Sequence, residues 1–170
     1  MKVLYYNWVD YLDREKRGGG VSIYQRNLLA ALHAQGGHEA HFLSSGIAHE
    51  FRRGAPRWAE LPKAAGEAPV RRFEIINAGL MAPSHADYGS PAQLNEPGTE
   101  AVFMDFIARN GPYDVIHFNN LEGLPANVLR VKERWPGTRV VLSLHNYYPF
   151  CPQVNLWRNE AENCTDYAEG

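Results

Sequence analysis

Apolar and polar residues follow one another along this chain in blocks. Short runs of branched and aromatic residues alternate with stretches whose apolar positions fall at helical spacing. Lys2 to Trp8 is the first run, centred on Val3 and Leu4 with Asn7 at its mouth, and it predicts a strand. Ser22-Ile-Tyr-Gln25 has the form of a capping box, which predicts a helix starting at Ser22. Tyr24, Leu28, Ala31 and Leu32 then recur at helical spacing until Gly36-Gly37 supplies the stop. His38 to Ser44 predicts a second strand, completing a β–α–β unit.

The pattern is weaker in the middle of the chain. Residues 47 to 69 read as a loop with a short helix around Trp58 to Ala65, and Arg72 to Asn77 predicts a third strand. Ala78 to Gly98, with Pro83, Pro91 and Pro97, reads as a second long irregular stretch, and loops of this length in a compact domain are usually functional or disordered. From Thr99, Val102, Phe103, Phe106 and Ile107 share a helical face that Asn110-Gly111-Pro112 closes. Asp114 to Phe118 predicts a fourth strand running into Asn119-Asn120-Leu121-Glu122-Gly123. Pro125 suits a first helical position, and Leu124, Val128, Val131 and Trp135 form a stripe ended by Pro136-Gly137. Arg139 to Leu144 predicts a fifth strand. Its apolar run reads as buried on both faces of a parallel sheet.

Strands alternating with helices predict an α/β fold, a Rossmann-like open parallel sheet flanked by helices with right-handed crossovers. Residues 1–152 are expected to form one domain and residues 153–170 a tail without a clear period. The length of 170 residues suffices to bury a core, and a net charge of −2 gives no general attraction to nucleic acid or anionic membrane. No run approaches the roughly 18 apolar residues that span a bilayer, and Met1-Lys-Val-Leu-Tyr-Tyr-Asn turns polar too early for a signal peptide. A cytoplasmic location is expected.

In such sheets ligands sit at the carboxyl ends of the strands. Asn7, Asn119, Asn120, Glu122, His145 and Asn146 all fall at strand mouths and offer donors and acceptors suited to hydroxyl-rich ligands; alternatively, each amide caps a strand or turn. His145 can serve as a general base, a metal ligand, a neutral hydrogen-bonding group or a histidine tied to backbone. Gly18-Gly19-Gly20 ahead of a helix can present backbone N–H groups to a phosphate, or can be a flexible loop. It is neither the dinucleotide fingerprint nor a P-loop, and no G-x-S-x-G elbow occurs. His33, His49 and His85 read as surface residues, and His38, His41 and His117 as structural ones. Cys151 and Cys164 form half a zinc site at best, so no metal is expected, though a zinc-supported fold with further cysteines remains an alternative.

Several of these motifs occur in a familiar order. Met1-Lys-Val-Leu opens a strand; paired glycines follow; Leu32-His-Ala-Gln-Gly-Gly37-His38 closes a helix; Asp114-Val115-Ile116-His117 precedes Asn119-Asn120-Leu121-Glu122-Gly123-Leu124. The most specific is Leu144-His145-Asn146-Tyr147-Tyr148-Pro149-Phe150-Cys151-Pro152. Together they resemble the N-terminal domain of GT-B glycosyltransferases of the family 4 type, over most of residues 1–152. Asn146 stands where that family usually has Asp, and Asn119 where it frequently has His, so a role requiring charge does not carry over.

The resemblance implies one half of a GT-B enzyme, a retaining transferase moving a sugar from a nucleotide-sugar donor to a glycan, lipid-linked or small-molecule hydroxyl. The N-terminal domain would take the acceptor side, and a C-terminal donor-binding domain absent from this chain would hold the nucleotide, so this chain alone would be inactive. Gly18, Gly19 and Gly20 would approach the donor diphosphate. His145 would hydrogen-bond the transferred sugar rather than act as a base, and Asn7, Asn119, Asn120, Glu122, Asn146 and Tyr147 would line the cleft. No cofactor beyond the nucleotide-sugar substrate and no metal is implied, nor a nucleic-acid partner. Peripheral membrane association of the full protein is compatible with it. A non-catalytic α/β ligand-binding or interaction module is the alternative.

Overall fold

Six short segments pair side by side, because each can bury a face only against its neighbours. The computed structural model describes residues 1–52, 54–63, 65–66, 68–83, 89–148, 157–158 and 161–163. Its sheet contains β1 (Lys2–Tyr6), β2 (Glu39–Ser45), β3 (Arg57–Glu60), β4 (Arg71–Ile76), β5 (Val115–Phe118) and β6 (Arg139–Leu142), in the order β3-β4-β2-β1-β5-β6. All neighbours are parallel except β3, which runs antiparallel along the outer edge of β4. The helices are α1 (Gly19–Gln35), α2 (Pro91–Leu94), α3 (Pro97–Asn110) and α4 (Val131–Arg134). This is the expected Rossmann-like α/β arrangement.

Alternation along the strands divides the core in two. Leu4, Tyr6, Phe73, Ile75, Ile116 and Phe118 meet Phe103, Phe106 and Ile107 of α3 on one face. Val3, Tyr5 and Phe42 meet Leu28, Leu29 and Leu32 of α1 on the other. Phe106 anchors the larger cluster, with ring centroids 4.9 Å from Phe73 and 5.6 Å from Trp58. Edge-to-face contacts of this kind add about 0.5–1.5 kcal/mol each beyond area burial.

The local elements differ from the sequence expectation at five places. Ser22 does not cap α1: the helix starts at Gly19, its N-cap Gly18 makes no side-chain cap bond, and Ser22 N–H already donates to Gly18 O at 3.3 Å. A Cβ on Gly18 would lie 2.0 Å from Ser22 Oγ and 2.8 Å from Val9 Cγ1, so a side chain there would have to displace both. The buried face of α1 is also rotated: Gln25 and Leu29 are its fully buried residues, whereas Tyr24 and Ala31 are exposed. Around Trp58 a strand replaces the expected helix, with the Trp58 indole N–H donating to Asp105 Oδ2 at 2.9 Å. The helix expected after Pro125 splits into a 3-10 turn, Ala126–Arg130, and α4, although Leu124, Val128 and Val131 are buried as the stripe requires.

The fifth difference concerns β6. It is an edge strand, and Val141 and Leu142 remain 42% and 39% exposed, so it is not buried on both faces. An apolar run reports what a strand can bury, and only its place in the sheet decides what covers it. Within the stretch expected to be irregular, α2 forms behind Ser90, and Glu96 caps α3 by accepting from Thr99 N–H at 2.6 Å. In the tail, Trp157–Arg158 and Glu162–Asn163 pair as two short antiparallel strands, β7 and β8. His85, Pro149 to Pro152, Glu160 and Cys164 lie outside the described residues. Among the described residues no helix is long and apolar enough to cross a membrane.

Candidate functional site

The parallel register aligns three strand mouths. Asn7 N–H donates to Leu43 O at 3.3 Å, Asn119 N–H to Tyr6 O at 2.9 Å, and Ser143 N–H to Phe118 O at 2.8 Å. The ladder therefore runs one residue past β1, β5 and β6, and the polar residues that follow emerge along one edge. Below them the loops after β2 and β5 cross closely. Ser45 Oγ donates to Gly123 O at 2.7 Å, and a Cβ on Gly123, whose φ is +77°, would lie 2.4 Å from Ser45 O. Glycine is required there for both conformation and contact.

His145 stands at the β6 mouth, and its partner fixes its chemistry. Asn119, fully buried, donates from Nδ2 to Tyr6 O at 3.2 Å. That orients the amide so that Oδ1 faces His145 Nε2 at 3.1 Å. An amide oxygen only accepts, so Nε2 carries the hydrogen and Nδ1 holds the lone pair. Partial burial of the ring pushes its pKa below the ordinary histidine value, which keeps the imidazole neutral near pH 7. Tyr24 of α1 packs on its other side, ring centroids 5.4 Å apart.

A second cross-link joins the same loops. Asn146 Nδ2 donates to Glu122 Oε1 at 3.3 Å, while Asn146 Oδ1 accepts from Tyr148 N–H at 3.1 Å. Asn120 Oδ1 accepts from Glu122 N–H at 3.2 Å, which tightens the turn after β5. Tyr6, buried below, donates its hydroxyl to Glu122 O, and burial, with Glu122 nearby, raises its pKa far above the ordinary tyrosine value. His117 reaches Ser143 Oγ with Nε2 at 2.7 Å; burial and then neighbouring His145 lower its pKa.

The structure thus brings Asn119, Asn120, Glu122, His145 and Asn146 into one bonded cluster. Asn7 lies apart from it, bonded to Val9 O and Gln25 Oε1 at 3.3 and 3.5 Å. Tyr147 is half exposed. Gly19 and Gly20 are exposed at the start of α1, with open space where a Cβ would stand. The first two turns of α1 join this glycine segment to the rest: Tyr24 touches His145, and Gln25 touches Asn7. Neither tyrosine nor glutamine stood out in the sequence, because Tyr24 fitted an apolar stripe and Gln25 fitted a capping box. Their signal was Gln25 preceding Leu28 and Leu29 by three and four residues, which places a polar side chain on the core face.

Chemically, the cluster offers neutral amides, one carboxylate and one neutral imidazole with an unshared acceptor. That set suits hydroxyl groups. Among the described residues no group of three or more His, Cys, Asp or Glu side chains could hold a metal ion. A surface hollow lined by Met1, Lys2, Gly37, His38, Glu39 and Asp114 lies at the opposite, amino edge of the sheet. A family model described as "Glycosyl transferase 4-like domain" matches residues 19–164. No curated protein matches the chain.

Proposed function

The chain belongs to the glycosyl transferase 4-like family, and from that premise we propose that it is the acceptor-side domain of a retaining transferase. In this reading a sugar passes from a nucleotide-sugar to an acceptor hydroxyl. The C1–O bond to the diphosphate breaks, a bond from C1 to the acceptor oxygen forms, and the acceptor's proton passes to the departing diphosphate oxygen. A second, donor-binding domain completes the site. His145 touches the transferred sugar: with Nε2–H committed to Asn119, its Nδ1 accepts a hydrogen bond from a sugar hydroxyl. Positioning of this kind accelerates transfer without proton abstraction by the imidazole. The Gly18–Gly20 segment faces the leaving diphosphate, and the Gly20 N–H at the start of α1 stabilises its charge, the Gly19 N–H being bonded to Lys16 O at 3.1 Å. Asn120, Glu122, Asn146 and Tyr147 belong to the acceptor side.

The observation that carries this reading is the Asn119–His145 pair, which presents a neutral, oriented imidazole at the carboxyl edge. Its test is nucleoside diphosphate release from a panel of nucleotide-sugars, with the chain joined to a donor-binding domain. His145→Ala should lower turnover about 100-fold, the scale of removing one aligned polar group from a transition-state site. Undiminished turnover in that variant contradicts the assignment.

A further inference from the structure

Beneath the first turns of α1 lie polar atoms that the fold does not pair. Asn7 and Gln25 are both fully buried. Because Asn7 Nδ2 donates to Val9 O and to Gln25 Oε1, the orientation of both amides is set. What remains is an acceptor, Asn7 Oδ1, and a donor, Gln25 Nε2, neither with a hydrogen-bond partner. Ser22 Oγ, less than one turn earlier on the helix, is likewise unpartnered. Each unpaired buried polar group costs about 1–3 kcal/mol. A leucine at position 25 would extend the face of Leu28, Leu29 and Leu32 at no such cost, so stability does not account for the amide.

We propose that Asn7 and Gln25 form a receptor for one hydroxyl group of the carbohydrate substrate, reached when the first turn of α1 lifts. The inference rests on the sugar-binding reading of the carboxyl edge. A hydroxyl accepts from Gln25 Nε2 and donates to Asn7 Oδ1, satisfying both atoms at once. A sulfate or carboxylate oxygen has no proton to give near pH 7 and meets the lone pairs of Asn7 Oδ1. The pair therefore selects a neutral hydroxyl, whereas the Gly20 N–H at the start of α1 favours an anion. At the access route Gly18 supplies no side-chain cap, and open space lies where a side chain on Gly19 or Gly20 would stand. Tyr24, one residue before Gln25, packs on His145, so the receptor adjoins the sugar contact. Sites built to bond a hydroxyl discriminate strongly against analogues that lack it.

The test titrates the 170-residue chain with glucose, galactose, mannose and the monodeoxy forms of each, and separately with sulfate. The side-chain amide signals of Gln25 and Asn7 and the imidazole signals of His145 are followed by NMR. A hexose should shift Gln25 and His145 together, and sulfate should leave Gln25 in place. One monodeoxy form should bind about 10-fold more weakly than its parent, and that difference should vanish in Gln25→Met. Gln25→Glu, which keeps the shape and replaces the donor with an acceptor, serves the same comparison if the methionine variant does not fold. A hexose that moves His145 but not Gln25, or a monodeoxy penalty that survives in the variant, overturns the receptor and leaves the sugar site standing. If no hexose moves His145, the sugar-binding reading itself falls.

Discussion

The two edges of the sheet hold similar side chains and treat them differently. At the amino edge, His41 is fully buried, its Nδ1 2.7 Å from Tyr113 Oη and its Nε2 2.9 Å from Glu39 Oε1, off the line of a good hydrogen bond. Lys2 Nζ reaches the same carboxylate at 3.1 Å, and Lys2 N–H donates to Asp114 Oδ2 at 2.6 Å. Charges and aromatic rings pin the strand ends there. At the carboxyl edge, His145 is bonded to a neutral amide, lies against an exposed tyrosine, and keeps one ring nitrogen unshared. The same residue type is locked into the fold at one end and left with an open acceptor at the other. Burial of the whole ring, as against one edge of it, makes the difference.

Backbone packing gives the sharpest way to break the contrast. Gly123→Val at the carboxyl edge forces a branched side chain into a positive φ and against Ser45 O, and should destabilise by at least about 3 kcal/mol in urea unfolding. Gly137→Ala, before β6 at the amino edge, adds a methyl group in open space and should stay within about 0.5 kcal/mol. Similar losses at both positions would show that the carboxyl-edge loops are not packed as described.

Acid should act first through the amino edge. Burial, then Lys2, lower the His41 pKa to about 4, outweighing Glu39. A histidine with a lowered folded pKa stabilises the fold above its unfolded value and loses that contribution as pH falls toward the folded one. Unfolding free energy should therefore drop by about 3 kcal/mol between pH 6.5 and 4. His117 and His145 add losses of the same sign, whereas Glu74, raised by burial and then Asp10, opposes them at lower pH. His41→Gln should flatten most of the slope; a slope unchanged in that variant places the acid sensitivity elsewhere.

Tyr24→Ala should have the smallest effect on stability, about 0.5 kcal/mol, because the ring is 42% exposed. It should nevertheless let water reach His145 and raise that pKa toward the ordinary value. An NMR pH titration reads the change; no movement would mean that Tyr24 does not shield the imidazole.

Much of this was legible in the sequence, for identifiable reasons. Strand runs followed at once by Asn7, Asn119 and His145 place those residues at one edge whatever the details of packing. The motif order from Met1 to Pro152 likewise pointed to the family that the match over residues 19–164 shows. The edge position of β6 was not legible, since Val140, Val141 and Leu142 read the same in a central or an outer strand. Nor was the strand at Trp58, whose four residues are too few to display a period. The phase of α1 was misread because Ser22 and Gln25 imitate a capping box. Only the fold shows that Gly18 closes the turn and that Gln25 faces Asn7.

The central claim is that the carboxyl edge presents His145 as a neutral sugar contact, and imidazole nitrogen spectra of the chain test it most directly. At pH 7 His145 should carry its hydrogen on Nε2, and Nδ1 should shift as a hexose is added while both nitrogens of His41 stay still. A His145 protonated on Nδ1, or one that carbohydrate leaves unmoved, would contradict it.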